Sequence, residues 1–73
     1  MKSKWLNFLL LEQGEKTDKW RVESKSGDVL GIIVWYSPWR QYCFHPADDT
    51  IYAQSCLRDI SEFIKKQMDA RKK

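Results

Sequence analysis

Residues Lys19–Pro46 read "KWRVESKSGDVLGIIVWYSPWRQYCFHP", and the way hydrophobicity alternates through them decides the fold. In "KWRVESK" (19–25), Trp20, Val22 and Ser24 fall on one side, and Lys19, Arg21, Glu23 and Lys25 fall on the other. A period of two describes a strand buried on one face. "KSGD" (25–28) supplies a tight turn in which Gly27 takes positive φ, so the chain reverses as a hairpin. "VLGIIVWY" (strand 28–36) is apolar on both sides, with Val29, Ile33 and Trp35 opposed to Leu30, Ile32, Val34 and Tyr36. That pattern belongs to a central strand covered on both faces, or covered on one and used on the other. Ser37 and Pro38 end it, since proline pre-sets a turn and donates no ladder hydrogen bond. "RQYCFH" (strand 40–45) returns with Arg40, Tyr42 and Phe44 on the expected core face and Gln41, Cys43 and His45 on the other, before Pro46 stops it.

Outward from this centre, Leu57, Ile60, Ile64 and Met68 recur at helical spacing, flanked by Cys56 and Phe63, while Arg58, Asp59, Glu62, Lys65 and Lys66 form a polar face. This predicts an amphipathic helix over 55–69, with Ser55 as N-cap and a basic tail at 70–73. On the N-terminal side, "WLNFLLLE" (5–12) fits either a short helix or a strand. A return through "QGEKTD" into residue 19 is simplest as a hairpin. The expected architecture is α+β, an antiparallel β-meander of three to four strands followed by one C-terminal helix packed on one sheet face.

Size and charge restrict what such a fold does. Seventy-three residues make one domain. A chain this short buries only about 60% of its unfolded surface, so its ten aromatics are needed first for packing. Of the thirteen basic residues, five (Lys65, Lys66, Arg71, Lys72 and Lys73) lie in the last nine positions, and residues 1–64 hold 8 basic and 9 acidic groups. The positive charge therefore belongs to the end of the chain. Interaction with the helix dipole explains it better than a nucleic-acid surface, which needs a patch on the folded face. There is no apolar run long enough to span a membrane. "WLNFLLL" (5–11) lacks the small-residue cleavage site of a secretory signal and runs into charged sequence.

The sequence carries no catalytic constellation. His45 is the one histidine, no acid is fixed beside it by spacing, and the adjacent Asp48 and Asp49 suit a turn. Cys43, His45 and Cys56 give three dispersed candidates where a structural zinc site takes four ligands at motif spacing. No enzyme activity, metal or cofactor is expected, and the thiols are expected to be reduced.

"LGIIVWYSPWRQYCFHP" (30–46) followed by "TIYAQSCLRDISEFI" (50–64) resembles a family of small bacterial and bacteriophage proteins with an L-G-x-I-x-W-Y-x-P-W-R-Q-Y-x-F-x-P core and a later C-L-x-D-I-x-x-F-I segment. The resemblance covers roughly residues 20–64. It implies a cytoplasmic protein of phage or mobile-element origin, with Trp35, Tyr36, Pro38, Trp39, Arg40, Gln41 and Tyr42 as its signature. It implies no established activity.

Binding is the remaining function class. One helix covers one sheet face, so the second face of the central strand is either closed by residues 1–12 and the Trp39 ring or offered to a partner. Trp35, Tyr36, Trp39, Arg40 and Gln41 are the candidate contacts, because Trp, Tyr and Arg concentrate in interface hot spots. A protein partner, a host macromolecule or a second copy joined through a sheet edge, is favoured. The alternative is a nucleic acid stacked on the sheet, with Lys19, Arg21, Lys25 and Arg40 supplying charge and Glu23 and Asp28 interrupting it.

Overall fold

A computed structural model of the chain describes residues 3–71. Four antiparallel strands, β1 (Leu6–Gln13), β2 (Asp18–Ser24), β3 (Val29–Tyr36) and β4 (Gln41–Pro46), form one open sheet in the order β1-β2-β3-β4, and helix α1 (Gln54–Arg71) follows. The expected α+β meander with its C-terminal helix is what the chain adopts, and the N-terminal segment is a strand.

Pairing follows the alternation. Trp20 lies opposite Ile33, Ile33 opposite Phe44 and Trp35 opposite Tyr42, so one face collects these side chains with Leu6, Phe8 and Val22. Helix α1 closes that face with Ile60 and Phe63, and the buried core is Leu6, Trp20, Val22, Ile33, Tyr42, Ile60 and Phe63. Phe63 is the wedge. Its ring stacks on Phe8 at 4.3 Å and meets Trp20 edge-on at 5.2 Å, and Trp20 in turn meets Tyr42 at 5.2 Å. Such pairs add about 0.5–1.5 kcal/mol each beyond the area they bury.

The buried Ser3 fastens the start of the sheet to the helix. Its hydroxyl donates to Asp59 Oδ2 at 2.5 Å, while its oxygen accepts from Leu6 N–H at 3.1 Å. Beyond β4, the Tyr52 hydroxyl donates to the Leu30 carbonyl at 2.5 Å and its ring meets Phe44 edge-on, which holds the connection to α1 against the sheet.

Several local expectations are corrected. The helix starts at Gln54, and Leu57 N–H already donates to Ala53 O, so Ala53 occupies the capping position and Ser55 lies within the first turn. The helix also runs through Ala70 and Arg71, which were expected in a tail, while Lys72 and Lys73 lie outside the described residues. Arg40 is not a strand residue. With φ 54° and ψ 47° it ends a 3₁₀ turn, Ser37–Trp39, that bends the chain into β4. Pro46 does not stop β4 from outside. It is the last residue of that edge strand, opposite Gly31, where its missing N–H costs little.

The β2–β3 hairpin closes as expected. Gly27 takes φ 99°, its N–H donating to Ser24 O, and Ser24 N–H donates to Asp28 O. A bulge follows between Val22 and Glu23, so Val29 lies opposite Glu23 and the partly buried Leu30 packs against the core. That reverses the expected sides of Val29 and Leu30, because one extra residue shifts the alternation. Gly31 lies beside this bulge, and a Cβ there would collide with the His45 carbonyl and come within 2.8 Å of the Phe44 ring. We expect Gly31→Ala to destabilise the fold by about 2–3 kcal/mol. Urea unfolding of both proteins measures this, and a loss under about 0.5 kcal/mol would show that β4 yields freely.

Candidate functional site

The face away from the helix is open. Strand β3 places Ile32, Val34 and Tyr36 along its middle, since each alternates with a helix-facing neighbour. The flanking residues are Arg21 opposite Ile32, Leu9 opposite Arg21, Cys43 opposite Val34 and Gln41 opposite Tyr36. Of the segment 1–12 that was one of the two expected covers, the described residues 3–12 do not close this face, and residues 1 and 2 lie outside the described residues. The part that forms β1 extends the sheet sideways by pairing with β2, which satisfies its backbone hydrogen bonds.

Of the five candidate contact residues, the structure brings four to this side or its rim. Tyr36 and Trp39 meet edge-on at 5.0 Å, and Trp39 is 67% exposed. Pro38 lies at the second position of the 3₁₀ turn that carries Trp39, and the left-handed Arg40 donates its N–H to Ser37 O at 3.1 Å to close it. Arg40 and Gln41 are exposed beside them. Trp35 is separated from this group. It faces the helix, edge-on to Tyr42 at 5.3 Å, with the Arg71 guanidinium 4.1 Å above its ring. Arg71 Nη1 also donates to the Lys16 carbonyl at 2.5 Å. This basic residue of the expected tail is therefore a clamp between the last helical turn and the β1–β2 hairpin.

The candidate nucleic-acid contacts are largely engaged within the chain. Lys19 Nζ lies 3.6 Å from Glu12, Arg21 Nε lies 2.7 Å from Glu23, and Lys25 Nζ donates to Asn7 Oδ1 at 2.8 Å. The Arg21–Glu23 pair is a charge contact only, because the buried Nε is not aligned as a hydrogen-bond donor to the carboxylate. Arg40 makes no ion pair among the described residues. An open cleft of about 390 Å³ lies at the hairpin end of the sheet, bounded by Glu12, Asp18, Lys19, Ile32, Val34 and Trp35.

The three candidate metal ligands are divided by the sheet. Cys43 and His45 alternate with core residues and face the open side, whereas Cys56 lies in the first turn of α1 and packs against the core. Both thiols are free, and no cluster of three potential ligands occurs among the described residues. Asp49 is at φ 60° in the turn after β4. No helix among the described residues is long and apolar enough to cross a membrane.

Sequence reasoning did not single out the exposed apolar side chains of β1, Leu9, Leu10 and Leu11, or the exposed Val29. An apolar run in a strand has no alternation from which to tell a covered edge from a bare one. The role of Arg71 also left no local signal, since its partners Lys16 and Trp35 are remote in sequence.

The fold and this face define a small α+β protein with one covered and one open sheet surface, and comparison of the whole chain places it among phage-related proteins. Over 72 residues it is 33% identical to the "Uncharacterized 9.3 kDa protein" of Acholeplasma phage L2, a match covering 96% of this chain and 92% of that protein. The chain belongs to the same family as that phage protein. No protein-family model matches it, and no solved structure does.

The two exposed ends of this arrangement should respond differently to truncation. Arg71→Ala removes a cation–π contact and a hydrogen bond and is expected to cost about 1–2 kcal/mol. Trp39→Ala, whose ring touches little besides Tyr36, is expected to cost about 1 kcal/mol or less. Thermal melts of the two variants give the order. A larger loss for Trp39→Ala would make that ring a structural element.

Proposed function

We propose that the protein is a small non-enzymatic binding module that docks on a protein partner through its open sheet face, with Tyr36, Trp39, Arg40 and Gln41 at one end and Ile32 and Val34 along the middle. The observation that carries this reading is Trp39, 67% exposed on a turn fixed by Pro38 and Arg40, beside an apolar strand face that the helix does not reach. A large ring held rigidly in solvent is ready to be buried without further ordering, which is how an interface hot spot contributes most. Trp35 is withdrawn from the contact set because it supports the helix end.

Electrostatics favour protein over nucleic acid. Around the middle of the open face, Lys19, Arg21 and Lys25 are interspersed with Glu12 and Glu23. The exposed Lys19–Glu12 pair is worth only about 0–1 kcal/mol and could be exchanged, but both carboxylates would still stand beside any phosphate. Mixed charge around an apolar middle of Ile32 and Val34 suits a protein surface better than a phosphate backbone.

Two measurements separate the readings. In a pull-down from host lysate, wild type is expected to retain a partner that Trp39→Ala and Ile32→Lys lose, with both variants still folded by circular dichroism. In a salt series with single- and double-stranded DNA and RNA, only weak binding is expected, lost by about 200 mM salt. Sequence-independent affinity that survives that salt and falls with Trp39→Ala would overturn the protein reading in favour of the nucleic acid.

A further inference from the structure

We infer that the chain pairs with a second copy of itself through the free edge of β1, in a register centred on Leu9. This edge adjoins the open face at Leu9 but lies two strands away from Ile32, Val34 and Tyr36 on β3, so either reading can fail without the other.

The backbone sets the register. Ser24 N–H donates across the hairpin to Asp28 O, so the backbone groups of Ser24 point toward β3. Directions alternate along an antiparallel strand, so those of Glu23 and Arg21 point toward β1. Their partners, Asn7 and Leu9, answer them, which leaves the N–H and C=O of Phe8 and Leu10 pointing out of the sheet. Leu6 shares this phase, and its N–H is taken by Ser3 Oγ, as expected for a group that does not reach β2. Beyond Leu10 the pairing shifts at a bulge. The outward groups of regular geometry are thus those of Phe8 and Leu10, placed symmetrically about Leu9. A second β1 running antiparallel, with Leu9 opposite Leu9 of the other copy, sets each Phe8 opposite a Leu10. Each of those pairs exchanges two hydrogen bonds, and Ser3 keeps its own.

The side chains fit the same arrangement. From Trp5 to Leu11 there is no charged residue, so a two-fold axis brings no like charges together. Natural edges of this length are normally guarded by lysine, proline, inward-pointing charge or a bulge; β1 has its bulge only beyond Leu10, and no lysine, proline or charge occurs along Leu6–Leu11. Trp5, Leu9, Leu10 and Leu11 are exposed on this edge. A cleft of about 310 Å³ lies along it, lined by Leu6, Asn7, Phe8, Leu9, Phe63 and Lys25, whose ammonium is held by Asn7 Oδ1 at the rim. Leu10 of the other copy, standing opposite Phe8 and on its side of the sheet, would enter that cleft, and the symmetry repeats the contact. A charged or unrelated strand could match the hydrogen bonds but not this reciprocal seating. A single strand edge buries less than the ~800 Å² per partner of a standard interface, which places the dimer among weak, concentration-dependent associations.

Sedimentation equilibrium of the full chain, from about 5 to 500 µM, tests this. Wild type is expected to rise from a mass of 8.8 kDa toward twice that value, and Leu10→Lys to stay monomeric with an unchanged fold by circular dichroism. As a second readout, Leu9→Cys is expected to form a covalent dimer under mild oxidation, because directly opposed non-hydrogen-bonded residues have Cα atoms about 4.5 Å apart, within disulfide reach. Asn7→Cys, set opposite Leu11 of the other copy, is expected to cross-link at least ten-fold more slowly, and wild type alongside reports any bond through Cys43 or Cys56. A wild type that stays monomeric at 500 µM overturns the proposal. So does a folded Leu10→Lys that dimerises normally, or equal cross-linking of the two cysteine variants.

Discussion

One helix can cover one face of a four-stranded sheet, and that constraint shapes the rest of the molecule. The face that α1 covers is filled by large rings around Phe63, which touches Phe8 on β1 and Trp20 on β2. In a chain this short, such rings replace the many smaller side chains that a larger core would use. Among the described residues the opposite face has no second layer of its own. Ile32 and Val34 stay partly exposed because β1, the one segment that could have crossed them, extends the sheet instead.

Attachment of the helix at both ends matters as much as its apolar stripe. Near its N-terminus Asp59 accepts from Ser3, and at its C-terminus Arg71 reaches Lys16 and Trp35. These contacts draw two ionisable side chains into structural roles. They also change the meaning of the positive charge at the chain's end, since Arg71 holds the fold and Lys65 pairs with Asp69 on the helix surface. Charge counted from composition overstates what is available to a partner.

The fold was legible in residues 19–46 because strands buried on one side print a period of two, and Gly27 and Pro38 mark the reversals. The first strand was less legible, since "LNFLLLEQ" lacks that alternation. Two local errors have one physical origin, a change of backbone phase. The bulge at Val22 exchanged the sides of Val29 and Leu30, and the left-handed Arg40 left the strand it seemed to begin. The candidate contact set was readable as an aromatic cluster, but its division was not. Trp35 and Tyr36 separate by alternation alone; the register that sets Trp35 opposite the core Tyr42 turns it to the helix, and its Arg71 contact, across 36 positions, is one that no local pattern encodes. The same limit hid the bare edge of β1.

Ser3 and Asp59 are 56 positions apart, and that separation has a consequence for the order of events during synthesis. A ribosome releases all three β-hairpins before any of α1, and Phe63, the side chain that turns a sheet into a core, comes after all four strands. Until then the meander has two wet faces and nothing to bury, so its strands gain little by pairing early. The sheet must therefore wait for the helix, whose closing contacts join residues far apart in the chain. During that interval the unguarded leucines of β1 are the part of the nascent protein most in need of a neighbour.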